Sequence, residues 1–407
     1  MKLPSLKGRT LHETLFDPRQ FRLQVKKSFN ESSKQSFAGQ APGVFVGRYG
    51  YPNVRIGLLA TEEDKSHDNP LSWVRRQTPL KDIVSLRSGL VNANQKAHVK
   101  IASLQTRKLK DLSQEAAMAV RPVDMDVDLD RKPQFRLTLN DESMPHGPDA
   151  RLQKAALTSN PKVPRAVDKI VSDIDLKASA GLGSLWKKGY GEHHLSKMLS
   201  SATLGQKLER RFVPTRWGIT AVDDTVGKQL RRQLQDYPEA DFQAFFGGYM
   251  GNYYLVLLYP QPWSFELFEN YSGGQGPVRL STWYTDYEGV RGRKSYAERT
   301  AGGYYASRLA ALESLARKKR KAGVLSLRFI TDEYWAPLGV WVVREASRAA
   351  FSGEPVPFSS AEEMERYAVA FVKKRFGADL GPVLEASRLR AERKSQTTLA
   401  HFSRNKA

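Results

Sequence analysis

Apolar and polar positions recur with different periods along the chain, and the periods divide it. From Phe242 to Tyr287 the apolar residues come in dense runs: Tyr253 to Tyr259, the link Pro260-Gln261-Pro262, then Trp263 to Phe268. Such runs suit buried strands, and the short Pro-containing link predicts a hairpin with Phe265, Leu267 and Tyr271 turned to a core. After Gly302-Gly303 the period lengthens. Tyr305, Leu309, Leu312 and Ala316 fall on one helical face, and Arg317 to Lys321 close that helix where its dipole favours cations. Two further strands are predicted at Val324 to Ile330 and Leu338 to Val343. A last helix follows, capped by Ser360 and Glu363, burying Met364, Tyr367, Ala368 and Phe371, and stopped by Gly377.

The N-terminal part is less regular. Charged, helix-like sequence leads to a strand-like patch, Val44-Phe45-Val46, which runs into a tight exposed loop, Gly47-Arg48-Tyr49-Gly50-Tyr51-Pro52. Residues 62–82 read as a loop and a helix start. Between 110 and 165 the chain is broken by prolines, with short β-like pieces such as Phe135 to Leu139, and reads as extended excursions over a surface. Asp124, Asp126, Asp128 and Asp130 alternate with apolar residues, which on a strand collects the carboxylates on one solvated face; a calcium loop would need a glycine turn. The fold class expected is mixed α/β (α+β). A larger N-terminal domain with a β-rich centre would span 1–288, a smaller C-terminal α/β unit 289–385, and a flexible basic tail 386–407. No internal repeat is present.

Composition narrows the partner. The 407 residues carry 64 Lys+Arg against 43 Asp+Glu, a net charge of +21, on a chain that is 40% hydrophobic and therefore able to fold. A folded basic protein calls for an anionic partner. Cysteine is absent, which removes thiolate zinc sites and any disulfide-linked partner. No apolar run approaches the roughly 18 residues that span a bilayer, so a cytoplasmic protein without a membrane partner is expected.

Candidate chemistry gathers in three places. The stretch Arg210 to Thr225 offers Arg216 for a phosphate and Trp217 for stacking on a base. Its Asp223 and Asp224 are candidate ligands for a divalent metal and candidate catalytic groups, which would make the protein a metal-dependent repair nuclease. The competing assignment puts Trp217 in the core and Asp224 at a helix cap. Around Gly302-Gly303, Arg299, Tyr304 and Arg308 interleave cations and aromatics with glycines that permit close backbone approach. With Arg48, Tyr49 and Arg87 they complete the set of candidate nucleic-acid contacts. There is no Walker loop and no HExxH, His193-His194 read as a surface pair, and no motif demands any other cofactor.

The third place is the C-terminus. In Gln396-Thr397-Thr398-Leu399-Ala400-His401-Phe402 a glutamine precedes an aliphatic at +3 and an aromatic at +6, the pattern of the box that docks on sliding clamps. Ser403 stands where that box usually has a second aromatic. Together with Phe37-Ala38-Gly39, Val44 to Pro52, Leu86-Arg87-Ser88, Pro145-His146-Gly147-Pro148, Val213 to Asp224 and Arg299 to Tyr305, this resembles the Nre family of archaeal DNA repair proteins. The resemblance covers almost the whole chain. It implies N- and C-terminal Nre domains, a role in tolerance of DNA damage, and docking on the PCNA clamp through Gln396, Leu399 and Phe402. Many members of that family begin with a Cys-rich zinc segment, which a chain without cysteine does not carry.

Overall fold

The structure, a computed structural model, describes residues 17–63, 66–100, 104–137, 139, 143–271 and 283–395. Helix α1 (Pro18–Ser32) opens with proline in its first turn and the Asp17 carboxylate accepting from the Arg19 N–H. A closed barrel follows, made of β1 (Ser36–Val46), β2 (Asn53–Thr61), β3 (Val91–His98), β4 (Val123–Leu129) and β5 (Asp149–Leu157). Helices α2 (Pro70–Arg75) and α3 (Leu80–Ser88) lie between β2 and β3, and α4 (Leu104–Met118) between β3 and β4.

The strand order is β1-β2-β3-β5-β4, closed by β4 pairing back to β1. Strand β1 serves both halves. Its first part, Ser36 to Ala41, pairs with β4, and its second, Gly43 to Val46, pairs with β2 across an irregularity at Gln40/Gly43. Strands β3 and β5 run parallel and every other pair is antiparallel. This is the OB-fold arrangement. Inside are Val46, Ile56, Leu58, Met125, Val127 and Leu152. Strand β4 alternates as its sequence implies, with Val123, Met125, Val127 and Leu129 buried and Asp124 and Asp126 exposed. The span 110–165 thus holds the end of α4 and two barrel strands, β4 and β5, not only surface excursions, and none of the described residues among 135–139 lies in a strand.

The rest is a helical layer on a mixed sheet. Helices α5 (Arg165–Ser172), α6 (Ala178–Lys187), α7 (Glu192–Ser200) and α8 (Thr215–Gln233) precede β6 (Gln243–Tyr249), β7 (Asn252–Tyr259), β8 (Ser264–Tyr271) and β9 (Tyr284–Glu288). Then come α9 (Ala301–Lys318), β10 (Gly323–Ile330), α10 (Val340–Ser352), β11 (Val356–Pro357), α11 (Ala361–Phe376), α12 (Gly381–Ala386) and α13 (Arg388–Ser395). The sheet order is β11-β6-β7-β10-β8-β9.

Two expectations are corrected here. β7 and β8 do not form a hairpin, because β10 inserts between them, antiparallel to β7 and parallel to β8. The hairpin is β6–β7, turning at Met250-Gly251, where both residues have positive φ. Leu338 to Val343 is not a strand; Gly339, at φ 86°, leads directly into α10. Its Val340, Val342 and Val343 are buried on several sides, so the run lacks the polar face that would mark a helix.

The sheet also crosses position 288. Strand β9 pairs with β8, and β10 lies within the sheet among strands that precede it in the chain. Helices α9 and α10 pack with α8 on one face, while α11, α12 and α13 cover the other, with the Ser360 cap (Glu363 N–H to Ser360 Oγ, 3.2 Å) and Gly377 stop as read. The expected tail starts ordered. Ser387 Oγ and the Arg388 and Leu389 N–H groups all donate to the Glu266 carboxylate, and Leu389 is buried. Among the described residues no helix is long and apolar enough to cross a membrane.

Candidate nucleic-acid interface

The barrel and the helical layer meet at the start of α8. Pro214 ends the extended approach to the helix, Thr215 Oγ1 accepts from the Val46 N–H at 2.9 Å, and Phe212 sits in the barrel core. This anchors α8 against the end of β1, and the β1–β2 loop therefore rises beside Trp217. The loop is tight: Gly47 N–H donates to Arg55 O at 2.8 Å and Asn53 N–H to Gly50 O at 2.8 Å, with Gly50 at φ 80°. The Tyr51 ring lies 5.2 Å from Trp217, and the Arg48 guanidinium covers the ring of Tyr49, which is 82% exposed. The hydrogen bond and charge of Arg48 draw the Tyr49 hydroxyl below its ordinary pKa.

Between these elements is an open cavity of about 410 Å³ lined by Arg48, Arg216, Trp217, Thr220, Ala221, Asp224, Tyr296 and Tyr305. Trp217 and Tyr296 are half-exposed at its rim. Tyr305 is held by donation from the Ala297 N–H to its hydroxyl at 3.0 Å, and Tyr296 packs on it with ring centroids 5.4 Å apart. Aromatic walls, two arginines and one carboxylate are suited to a flat, anionic ligand such as an unstacked nucleotide.

Asp223 and Asp224 do not form a pair. Adjacent helical residues project about 100° apart. Asp223 turns inward to Arg344 Nη2, at 2.7 and 2.6 Å from its two oxygens, while Asp224 stays at the cavity with Lys228 at 2.5 Å and Arg308 at 3.6 Å. Trp217 is not core and Asp224 caps nothing; it lies mid-helix. Among the described residues no group of three or more His, Asp or Glu side chains could hold a metal ion.

Of the other candidate contacts, Arg48, Tyr49, Arg216 and Trp217 come together here, Arg299 is exposed just before α9, and three are interior. Arg308 is buried and donates to Glu288 at 2.7 Å; it fits only because Gly227 opposite has no side chain, since a Cβ there would come within 2.5 Å of Nη1. Tyr304 is fully buried against Phe265. Arg87 is 2% exposed and donates to Asp68 at 2.7 Å, Pro145 O at 2.7 Å and His67 O at 3.2 Å. Its role is to join three separate segments. His193 is partly exposed but not free, since its Nε2 meets Asp68 Oδ2 at 2.9 Å. Burial alone would raise the Asp68 carboxyl, but His193, Arg87 and Lys197 hold it well below its ordinary value. Tyr51, Thr220 and Tyr296 were not singled out from sequence, although Tyr51 was visible in the loop motif. Gln396, Leu399 and Phe402 lie outside the described residues.

Models of the archaeal Nre N-terminal and C-terminal domains match residues 19–275 and 288–402. The chain belongs to the archaeal Nre family. Among Nre relatives, the DNA repair protein NreA of Haloferax volcanii is 37% identical over 329 residues, covering 78% of each chain. The DNA repair protein NreB of Archaeoglobus fulgidus is 35% identical over 373 residues, 89% of this chain and 90% of its own. The DNA repair protein NreA of the same organism is 33% identical over 365 residues, 89% and 88%. No solved structure matches the chain. The N-terminal match ends at 275, beyond β8, and the C-terminal match begins at 288, the last residue of β9, so the boundary between them lies inside the sheet.

Proposed function

We propose that this Nre protein acts in DNA repair by binding DNA at the cavity beside Trp217, and that the PCNA clamp recruits it through Gln396, Leu399 and Phe402. The observation that carries the DNA reading is the convergence of the β1–β2 loop, the start of α8 and Tyr296/Tyr305 around one open, arginine-rimmed cavity. The relatives' names support the repair context. The nuclease alternative, which needs both carboxylates on one ion, has no support in a pair that diverges.

Two variants test the DNA reading. Trp217→Ala should weaken binding to single-stranded DNA by the roughly 1–3 kcal/mol that one stacked base contributes, about 5- to 150-fold. Its ring is half-exposed, so the fold should survive the change, which an unchanged melting temperature checks. Arg48→Ala should lower the slope of log affinity against log salt by about 0.7, the share of one phosphate contact on a single strand. Fluorescence anisotropy from low to moderate salt measures both. Wild-type affinity for Trp217→Ala, or binding of wild-type protein that ignores salt, removes the cavity as the DNA site.

A further inference from the structure

The barrel carries a larger hollow of about 1110 Å³ on its outer face, between β3, β5, α4 and the segment 130–136 that follows β4. The register explains its lining. Arg55 on β2 is opposite Lys96 on β3, and Asn94 on β3 is opposite Arg151 on β5, at positions that alternate with Ile56, Ala93, Ala97 and Leu152, while Leu109, Leu152 and Ala155 of the barrel core form the apolar part of the lining. Arg131 and Lys132 face it from the segment after β4. Among the described lining residues eight are Lys or Arg and two are Asp, and one of those, Asp149, already accepts from Asn92, Asn94 and Arg55.

We propose that this groove is the track of a single DNA strand, which continues over the β1–β2 loop and delivers one nucleotide to the Trp217 cavity. Three observations carry it. The barrel has the OB-fold strand order, and oligonucleotides lie on such barrels along β2–β3 between the β1–β2 and β4–β5 loops. Both loops here are furnished for that task, one with Arg48, Tyr49 and Tyr51, the other with Arg131 and Lys132. The groove also begins beside the loop that edges the cavity, because the backbone carbonyl of Arg55, a residue that lines the groove, accepts from the Gly47 N–H at the foot of the loop that bears Arg48. A single strand is favoured over a duplex because its bases can leave their own stack for the exposed rings of Tyr49, Tyr51 and Trp217 without the cost of opening base pairs.

The inference rests on the cavity being a nucleotide site, and the test separates the two. Full-length wild-type protein is titrated against labelled dT6, dT12 and a 12-base-pair duplex. Affinity should rise from dT6 to dT12 and exceed that for the duplex at least tenfold. Lys96→Glu with Arg151→Glu, both exposed on strands, should reduce dT12 affinity tenfold or more and flatten the dependence on length. Arg131→Glu with Lys132→Glu, outside any strand, should do the same and serves if the strand variant fails to fold. Undiminished dT12 binding by a folded groove variant, or a duplex preference in the wild type, overturns the track. If Trp217→Ala alone loses affinity, the cavity stands without the groove. If only the groove variants lose it, the groove stands and the cavity reading falls.

Discussion

Replacing Arg87 with methionine should lower the unfolding free energy by about 3 kcal/mol, because it takes from the Asp68 carboxylate, whose side chain is 2% exposed, its buried guanidinium partner and leaves only His193 and Lys197 to compensate the charge. The guanidinium also satisfies the carbonyls of Pro145 and His67, so the α3 end and the Pro145–Pro148 segment lose their common donor. Urea unfolding followed by tryptophan fluorescence measures the change. Adding Asp68→Leu to Arg87→Met should recover only part of the loss, since the under-compensated carboxylate is then gone but His193 and Lys197 lose their shared partner. The wild type should also be acid-labile through this group. A carboxylate with a depressed folded-state pKa contributes stability above its ordinary value of 3.8 and loses it as the pH falls below that, through the depressed value. That part of the acid slope should shrink in Arg87→Met. A loss under about 1 kcal/mol would show that Arg87 is no structural tie and would return it to the list of surface contacts.

Replacing Leu399 and Phe402 together with alanine should weaken binding to PCNA by a hundredfold or more. A peptide that orders on docking must recover that entropy from buried apolar groups, at roughly 1.5–3 kcal/mol for each of these side chains. Gln396→Ala should cost less, and DNA affinity should hardly move. With Ser403 in the place of a second aromatic, Phe402 would carry the aromatic share of such docking alone. Calorimetry of the full-length protein against the clamp decides the matter: equal heats from wild type and the double variant would reduce the box to an ordinary basic end.

How much of this was legible from sequence differs by element, for physical reasons. The β1–β2 loop and the start of α8 announced themselves because exposed aromatics and arginines beside glycine and proline are unusual, and they do meet at the cavity. The barrel was missed. Its strands are short of the residues that mark strands: β1 reads SFAGQAPGVFV, β3 VNANQKAH and β5 DARLQKAAL, where small and polar side chains serve a tight interior and a basic exterior. The groove went with it, because its cations lie on strands brought together only by closure. Tyr304 and Arg308 were misjudged for the opposite reason. Helix α9 is buried on nearly every side, down to Ser307 and Ser314, so the apolar stripe described one face of a helix that has no wet face for most of its length.

The place of β10 in the sheet bears on how the chain is made. On the ribosome β6, β7 and β8 emerge first, and β7 and β8 must leave a gap between them until residues 323–330 arrive to fill it. Until then each presents an unpaired edge rich in aromatic and aliphatic side chains, the kind of surface on which nascent chains aggregate. A gene cut between the two Nre segments would leave the barrel whole and divide the mixed sheet. One would hold a sheet missing its central strand, and the other a central strand with no neighbours.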